Sequence, residues 1–231
     1  MTMLIAAAAV FVLLHLLVSG TRVRDALTGA IGQGPYMGLF SLASIACLAW
    51  LILAFGPART ASDNAVFWSV TPLTRDIQLI VQLIAFLLVV PGLTTPNPTS
   101  VRQEGVLDRP DAVRGMVRIT RHPFLWGVAI WAAGHLMVHG DVAAFILFGS
   151  LLLLALFGTV SIDAKRRRAL GERWDAFAAH TSNVPFAAIL AGRQKLHVGE
   201  IGWWRIVLAV ALWAVVLWAH PHAFGVPALP A

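Results

Sequence analysis

Imidazole is the side chain with most chemistry to offer inside the apolar stretches of this sequence. His15 lies in the run from Met3 to Val18. His135 and His139 lie four positions apart in the stretch from Arg118 to Gly140, RITRHPFLWGVAIWAAGHLMVHG. On a helix that spacing puts His135 and His139 on one face. An ionisable residue inside an apolar span is costly and marks function by default. Neutral imidazole is a common axial ligand of haem iron, and an apolar helical core suits a porphyrin. The same stretch opens on cations, with Arg114, Arg118 and Arg121 preceding the turn at His122-Pro123. Arginines at such a threshold pair with haem propionates, with another anionic ligand or with lipid headgroups. Residue types alone leave these uses open, beside the plainer one of histidines hydrogen-bonded by a neighbouring helix.

The elements that must hold these groups are membrane spans. The chain has 231 residues, 58% hydrophobic and only 12% charged, against roughly 25% charged in soluble domains. Its apolar residues fall in long runs, which describes an all-α, polytopic helical bundle in a single domain over residues 1–231. Six spans are expected: Met3–Val18, Tyr36–Phe55, Ile77–Val90, Phe124–Val138, Val142–Ile162 and Trp203–Ala219. Ser19-Gly20 closes the first run and Arg22 and Arg24 follow it, the reverse of a signal peptide's charge order. Gly29 to Pro35 reads as a tight turn, and Gly56-Pro57 as the stop of the second span. Phe67 and Trp68, in the loop 58–76, read as interface anchors. Gln78 and Gln82 share one face of the short third run and suit hydrogen bonding within the bundle. Pro91, Pro96 and Pro98 are expected to break any helix there. Asp163 to Phe177 carries Lys165 to Arg168, and Leu170, Trp174 and Phe177 at helical spacing, which predicts a helix lying along the membrane surface. His220 and His222 are expected in solvent.

Charge sets the expected topology. The loops after the first, third and fifth runs hold two, five and seven Lys or Arg; those after the second and fourth hold two and none. The positive-inside rule then puts both termini on the periplasmic side of a bacterial inner membrane. A five-span arrangement lacking the third run divides the charge as unevenly; the arginines just after the first run favour six. The net charge of +6 is thereby assigned to membrane loops and not to a nucleic-acid partner. Cys47 is the only cysteine, which excludes an intrachain disulfide and a C-x-x-C-H haem attachment. No P-loop, G-x-G-x-x-G or G-x-S-x-G is present. The expected spans hold no acidic residue, which argues against an ion or proton pathway.

Three segments carry a resemblance over nearly the whole chain: HLLVSGTRVRD, GQGPYMGLFSLASI, and ITRHPFLWG followed by WAAGHLMVHGD. The sequence is identified as a member of the NnrU family, which is similar to the plant and cyanobacterial 15-cis-ζ-carotene isomerases. The resemblance implies a non-covalent haem b with His15 and His135 as axial ligands. Arg118, Arg121 and His122, at the threshold of the span, are then expected beside its propionates. It further implies either a part in nitrite and nitric oxide respiration or redox-dependent cis–trans isomerisation of a lipophilic polyene. Where the plant isomerases have a cysteine three residues before the second histidine, this chain has Ala132. In the six-span arrangement His15 lies roughly 18 Å below one surface and His135 roughly 17 Å from the other, by helical rise. In a core of about 30 Å both are near the middle, so one iron is expected to join them. His139, one turn further out, is the weaker candidate.

A broader resemblance supplies the alternative. RHPFLWG and DAKRRRALGERWDAFAAHTSNVPF are similar to the C-terminal half of the isoprenylcysteine and phospholipid methyltransferases, which use S-adenosylmethionine. Arg121, His122, Pro123 and Gly127 match their motif. The expected acidic pair is Asp163 followed by Ala164, and the later tyrosines are Trp174 and Phe177.

Overall fold

The computed structural model describes residues 1–19 and 21–229. Gly20, expected at the end of the first span, and Ala231, expected on the periplasmic side, lie outside them. The chain is almost wholly helical: α1 (Thr2–Leu13), a π-helical turn (Leu14–Ser19), α2 (Val23–Ile31), α3 (Gln33–Arg59), β1 (Val66–Trp68), α4 (Pro72–Thr94), a 3₁₀ turn (Glu104–Asp108), α5 (Met116–Ile119), α6 (Pro123–Val138), β2 (Gly140–Asp141), α7 (Val142–Leu170), α8 (Glu172–His180), α9 (Ala187–Leu190), α10 (Val198–Ile201) and α11 (Trp203–Phe224).

Among the described residues four helices, α3, α4, α7 and α11, are long and apolar enough to cross a membrane, and this is an integral membrane protein. The helix over Thr2–Val18 and α2 meet at 76° and together make a fifth candidate. The fourth expected span, α6, has 16 residues, roughly 24 Å of helix against a hydrocarbon core of about 30 Å.

Several boundaries differ from expectation, each for a local reason. The turn expected over Gly29 to Pro35 is a single break at Gly32, whose φ of +84° suits a residue without Cβ. The stretch before it forms α2. Gly56-Pro57 does not stop α3, which runs on to Arg59. Pro91 does not break α4, which continues to Thr94. The long apolar helix outweighs one lost hydrogen bond near its end. Pro221 likewise sits inside α11, and the His220 imidazole meets the Val226 carbonyl at 2.7 Å instead of standing in solvent. The expected surface helix from Asp163 to Phe177 is two pieces. Its basic half is the last turns of α7; Gly171, at φ +54°, breaks the chain, and α8 carries the rest. Trp174 (0% exposed) and Phe177 are buried against Val117, Leu107, Val113 and Leu170. The apolar stripe therefore faces protein.

The structure divides into two bodies, residues 1–71 with 135–154, and residues 72–134 with 155–231. In the first, α1 packs along α3; it buries Leu4, Ala7, Ala8 and Phe11, and its alanines permit close approach. β1 and β2 pair antiparallel, Val66 opposite Asp141 and Trp68 opposite Gly140. Trp68 lies over Gly140, where an added Cβ would come within 2.2 Å of the indole. Its Nε1–H donates to the Met137 carbonyl at 3.1 Å. Phe67 and Trp68 remain exposed, as interface anchors are. In the second body α4 packs along α11. α6 approaches α4 at Gly127, where a Cβ would lie 2.9 Å from the Ala85 carbonyl. Gln82 on α4 donates to the Trp131 carbonyl of α6 at 3.2 Å, the bundle role expected of it.

Candidate functional site

In the first body the π-helical turn carries His15. A π turn places one residue out of α-helical register, and such insertions concentrate at functional positions. The ring is half-buried. Its Nδ1 lies 2.8 Å from the Phe11 carbonyl, one turn back. A carbonyl only accepts, so Nδ1 carries the proton and Nε2 keeps its lone pair. Nε2 faces α3, with the Ser44 hydroxyl at 3.4 Å, a long contact. Phe11 and Phe40 stand 4.5 and 5.4 Å from the imidazole centroid. Phe40 in turn stacks on Tyr36. The Tyr36 hydroxyl is buried and has no hydrogen-bond partner. The Arg24 guanidinium stands 5.9 Å from the Tyr36 ring centre.

This surrounding fits an axial ligand. A ligating histidine typically donates its other ring N–H to a backbone carbonyl or carboxylate, fixing the tautomer and the ring. Phe11 provides that carbonyl. An unpartnered buried hydroxyl costs free energy, and at Tyr36 it is available to a polar atom of a bound group. Among the described residues no three His, Cys, Asp or Glu side chains gather to hold a bare metal ion. Haem asks less, because the porphyrin supplies four of the iron's ligands and the protein one or two.

His135 lies in the same body. Its ring lies flat against Phe148 of α7, 4.6 Å between centroids and 18° from parallel, with His139 parallel at 6.4 Å. Phe148 meets Phe55 of α3 edge-on at 5.8 Å. Phe55 follows Ser44, the neighbour of His15, by eleven positions, roughly 16 Å along the helix axis. The structure thus sets the His15 ring against α3, with Ser44 beside it, and the His135 ring flat against Phe148 of α7. Ala132 is fully buried.

The arginines of the central stretch have carboxylate partners, all in the second body. Arg121 is bidentate to Asp163, at 2.9 and 3.0 Å from Nε and 2.5 Å from Nη2. His122, 2% exposed, donates from Nε2 to the same carboxylate at 2.7 Å. Asn183 donates to it at 3.3 Å. The Arg121 carbonyl accepts from Asn97 and Thr99 at 2.9 and 2.8 Å. Burial holds His122 below the ordinary imidazole value; the Asp163 carboxylate acts the other way, and Arg121 with burial. Arg118 is bidentate to Glu200 at 2.8 and 3.1 Å and donates to Gln194 at 2.6 Å. The Gly115 N–H donates to Glu200 as well. Chiefly through Arg118, the Glu200 carboxyl falls to about 2. The three residues expected beside an anionic ligand therefore face protein anions. Asp163 was visible in the sequence as an acid following a span. Asn183, 20 residues further on, carried no signal.

Comparison with known proteins decides the family. The family described as NnrU protein matches residues 3–228. The chain belongs to the NnrU family. Two curated relatives are chloroplastic 15-cis-zeta-carotene isomerases. That of Zea mays is 29% identical over 178 residues, covering 75% of this chain and 47% of its own length. That of Arabidopsis thaliana is 26% identical over 193 residues, covering 81% and 50%. This NnrU chain thus spans about half the length of the curated relatives it matches. No solved structure matches it.

Proposed function

We propose that this NnrU chain binds a non-covalent haem b and uses it in redox-dependent cis–trans isomerisation of a lipophilic polyene in a bacterial inner membrane. One observation carries the reading: His15 sits in a π turn with Nδ1 committed to the Phe11 carbonyl and Nε2 turned toward α3, beside an orphaned Tyr36 hydroxyl. The names of the two relatives supply the substrate class. His135 is the second ligand in this reading. Arg24 stands over Tyr36 with, among the described residues, only the exposed Asp25 carboxylate at 3.5 Å, and suits a propionate better than Arg118, Arg121 or His122, which are hydrogen-bonded to carboxylates. When bound, haem supplies a redox-active iron. The chain's own residues orient the imidazole and keep water from it. A part in nitrite and nitric oxide respiration is the other role open to the same group.

The absorption spectrum of protein purified with haem tests this. We expect a Soret band that His15→Ala removes or shifts to a five-coordinate form, and that His135→Ala alters. His180, His197, His220 and His222 replaced by Ala leave it unchanged. A spectrum untouched in the His15→Ala, His135→Ala double variant overturns the proposal. One untouched by His135→Ala alone restricts coordination to His15.

The methyltransferase alternative has one observation in its favour, the convergence of Arg121, His122 and Asp163. It requires S-adenosylmethionine to bind there, and calorimetry without a heat of binding at millimolar ligand retires it.

A further inference from the structure

In the second body a cavity of about 400 Å³ opens where α4 ends, lined by Leu93, Thr95, Pro96, Arg102, Gln103 and Arg109 among others. A second, of about 300 Å³, shares Thr95, Pro96, Val106 and Arg109 with it and reaches Arg205. Two arginines and no acidic side chain line the first cavity. The acids of this segment are engaged elsewhere: Glu104 with Arg166, Asp108 with Arg173, Asp111 with Arg114. Among the described residues neither Arg102 nor Arg109 has a carboxylate partner. Arg205 is held by Thr94 and the Ile201 carbonyl, with no acid. The cavity also holds an unspent acceptor and donor, for the Thr95 hydroxyl is buried without a partner. Arg102 itself adopts φ +60°, rare outside glycine.

Its place along the spans says what brings an anion there. The Arg205–Thr94 bonds join the start of α11 to the end of α4, so the cavity lies where two membrane helices end together. Trp203 (77% exposed) and Trp204 start α11, as aromatic residues do at the lipid–water interface. Leu93, on the cavity's rim, is exposed. Guanidinium is suited to phosphate through paired donors. We propose that this cavity binds a phosphate group at headgroup depth, through Arg102, Arg109 and the Thr95 hydroxyl. An anionic lipid or free phosphate presents the same chemistry.

Two arms separate these sources. Native mass spectrometry of the full chain from mixed micelles reads retention of phosphatidic acid and phosphatidylglycerol against phosphatidylcholine. Calorimetry in detergent reads binding of inorganic phosphate. Each arginine is worth about a factor of five at a lipid surface, so Arg102→Gln with Arg109→Gln lowers anionic-lipid affinity about thirtyfold. Thr95→Val lowers it without changing charge. Both arginines are exposed, so folding of the double variant is secure, and Arg109→Lys restores part of the affinity. Preferential retention of phosphatidic acid, lost in the double variant, supports a lipid site. Phosphate binding lost in the double variant, with no lipid preference, supports a site for the free anion. Equal retention by the wild type and the double variant, with no heat from phosphate in either, overturns the proposal.

Discussion

At the scale of the residue, the second body turns on one carboxylate. Asp163 receives Arg121, His122 and Asn183 while mostly buried. Removing one member of a buried pair leaves an uncompensated charge, so Asp163→Asn should lower stability by about 3 kcal/mol. Thermal unfolding in detergent reads it. The same knot makes a pH prediction. His122 is held below its ordinary value, so the unfolded chain binds its proton first. Stability is full above about 6.5 and falls with pH through the interval below it. Glu200 behaves oppositely in cause, its value depressed by Arg118 to about 2. Its contribution is full above the ordinary carboxyl value near 4.5 and is lost between there and about 2. Glu200→Gln should therefore flatten the lower limb of a Tm–pH curve and leave the limb below 6.5 intact. His122→Asn should remove the limb just below 6.5 and, by taking a hydrogen bond from Asp163, also weaken the part lost at acid pH.

At the scale of the element, close helix packing rests on small residues. Gly127 closes the motif RHPFLWG, and the structure gives it a packing role. A Cβ there would meet Val89 Cγ2 at 2.5 Å and the Ala85 carbonyl at 2.9 Å. Gly127→Ala should destabilise by about 1–3 kcal/mol through overpacking. Gly38→Ala in α3, where nothing lies within 4 Å, should be neutral or slightly stabilising. Equal melting temperatures for the two variants would remove the explanation. α8 shows the other side of the element scale. Its stripe is amphipathic, and only the partner decides whether such a stripe meets lipid or protein. Val117 and Leu107 were its partners.

At the scale of the whole molecule, the loops fall into two sets. In the first body the N-terminal amine lies 3.9 Å from Asp63, Asn64 bonds to Asp141, and β1 pairs with β2. The loops after α3 and α6 and the start of α1 thus share one end. In the second body Arg166 with Glu104, Arg173 with Asp108 and Arg118 with Glu200 tie the basic segments together. The charge asymmetry of the loops is the ground on which we propose alternating spans, with the arginine-bearing loops on the cytoplasmic side and the start of the chain on the periplasmic side. In a Cys47→Ala background, a membrane-impermeant maleimide added to intact cells should label Ser62→Cys and not Ala112→Cys. The opposite pattern inverts the topology.

Composition and run length were enough to determine a helical membrane protein, because an apolar run in lipid must satisfy its own backbone and so must be a helix. Motif spelling determined the family. The position of His15 in an apolar run was also legible, since an imidazole among leucines is visible without coordinates. The tautomer that leaves Nε2 its lone pair was not, because it depends on the Phe11 carbonyl in a π turn that no residue type announces. Tertiary structure alone decided that Arg118, Arg121 and His122 face carboxylates 41 to 82 positions away. It likewise set the His135 ring flat against Phe148. Helical rise fixes depth within one span, but the offset between spans is set by how their side chains pack.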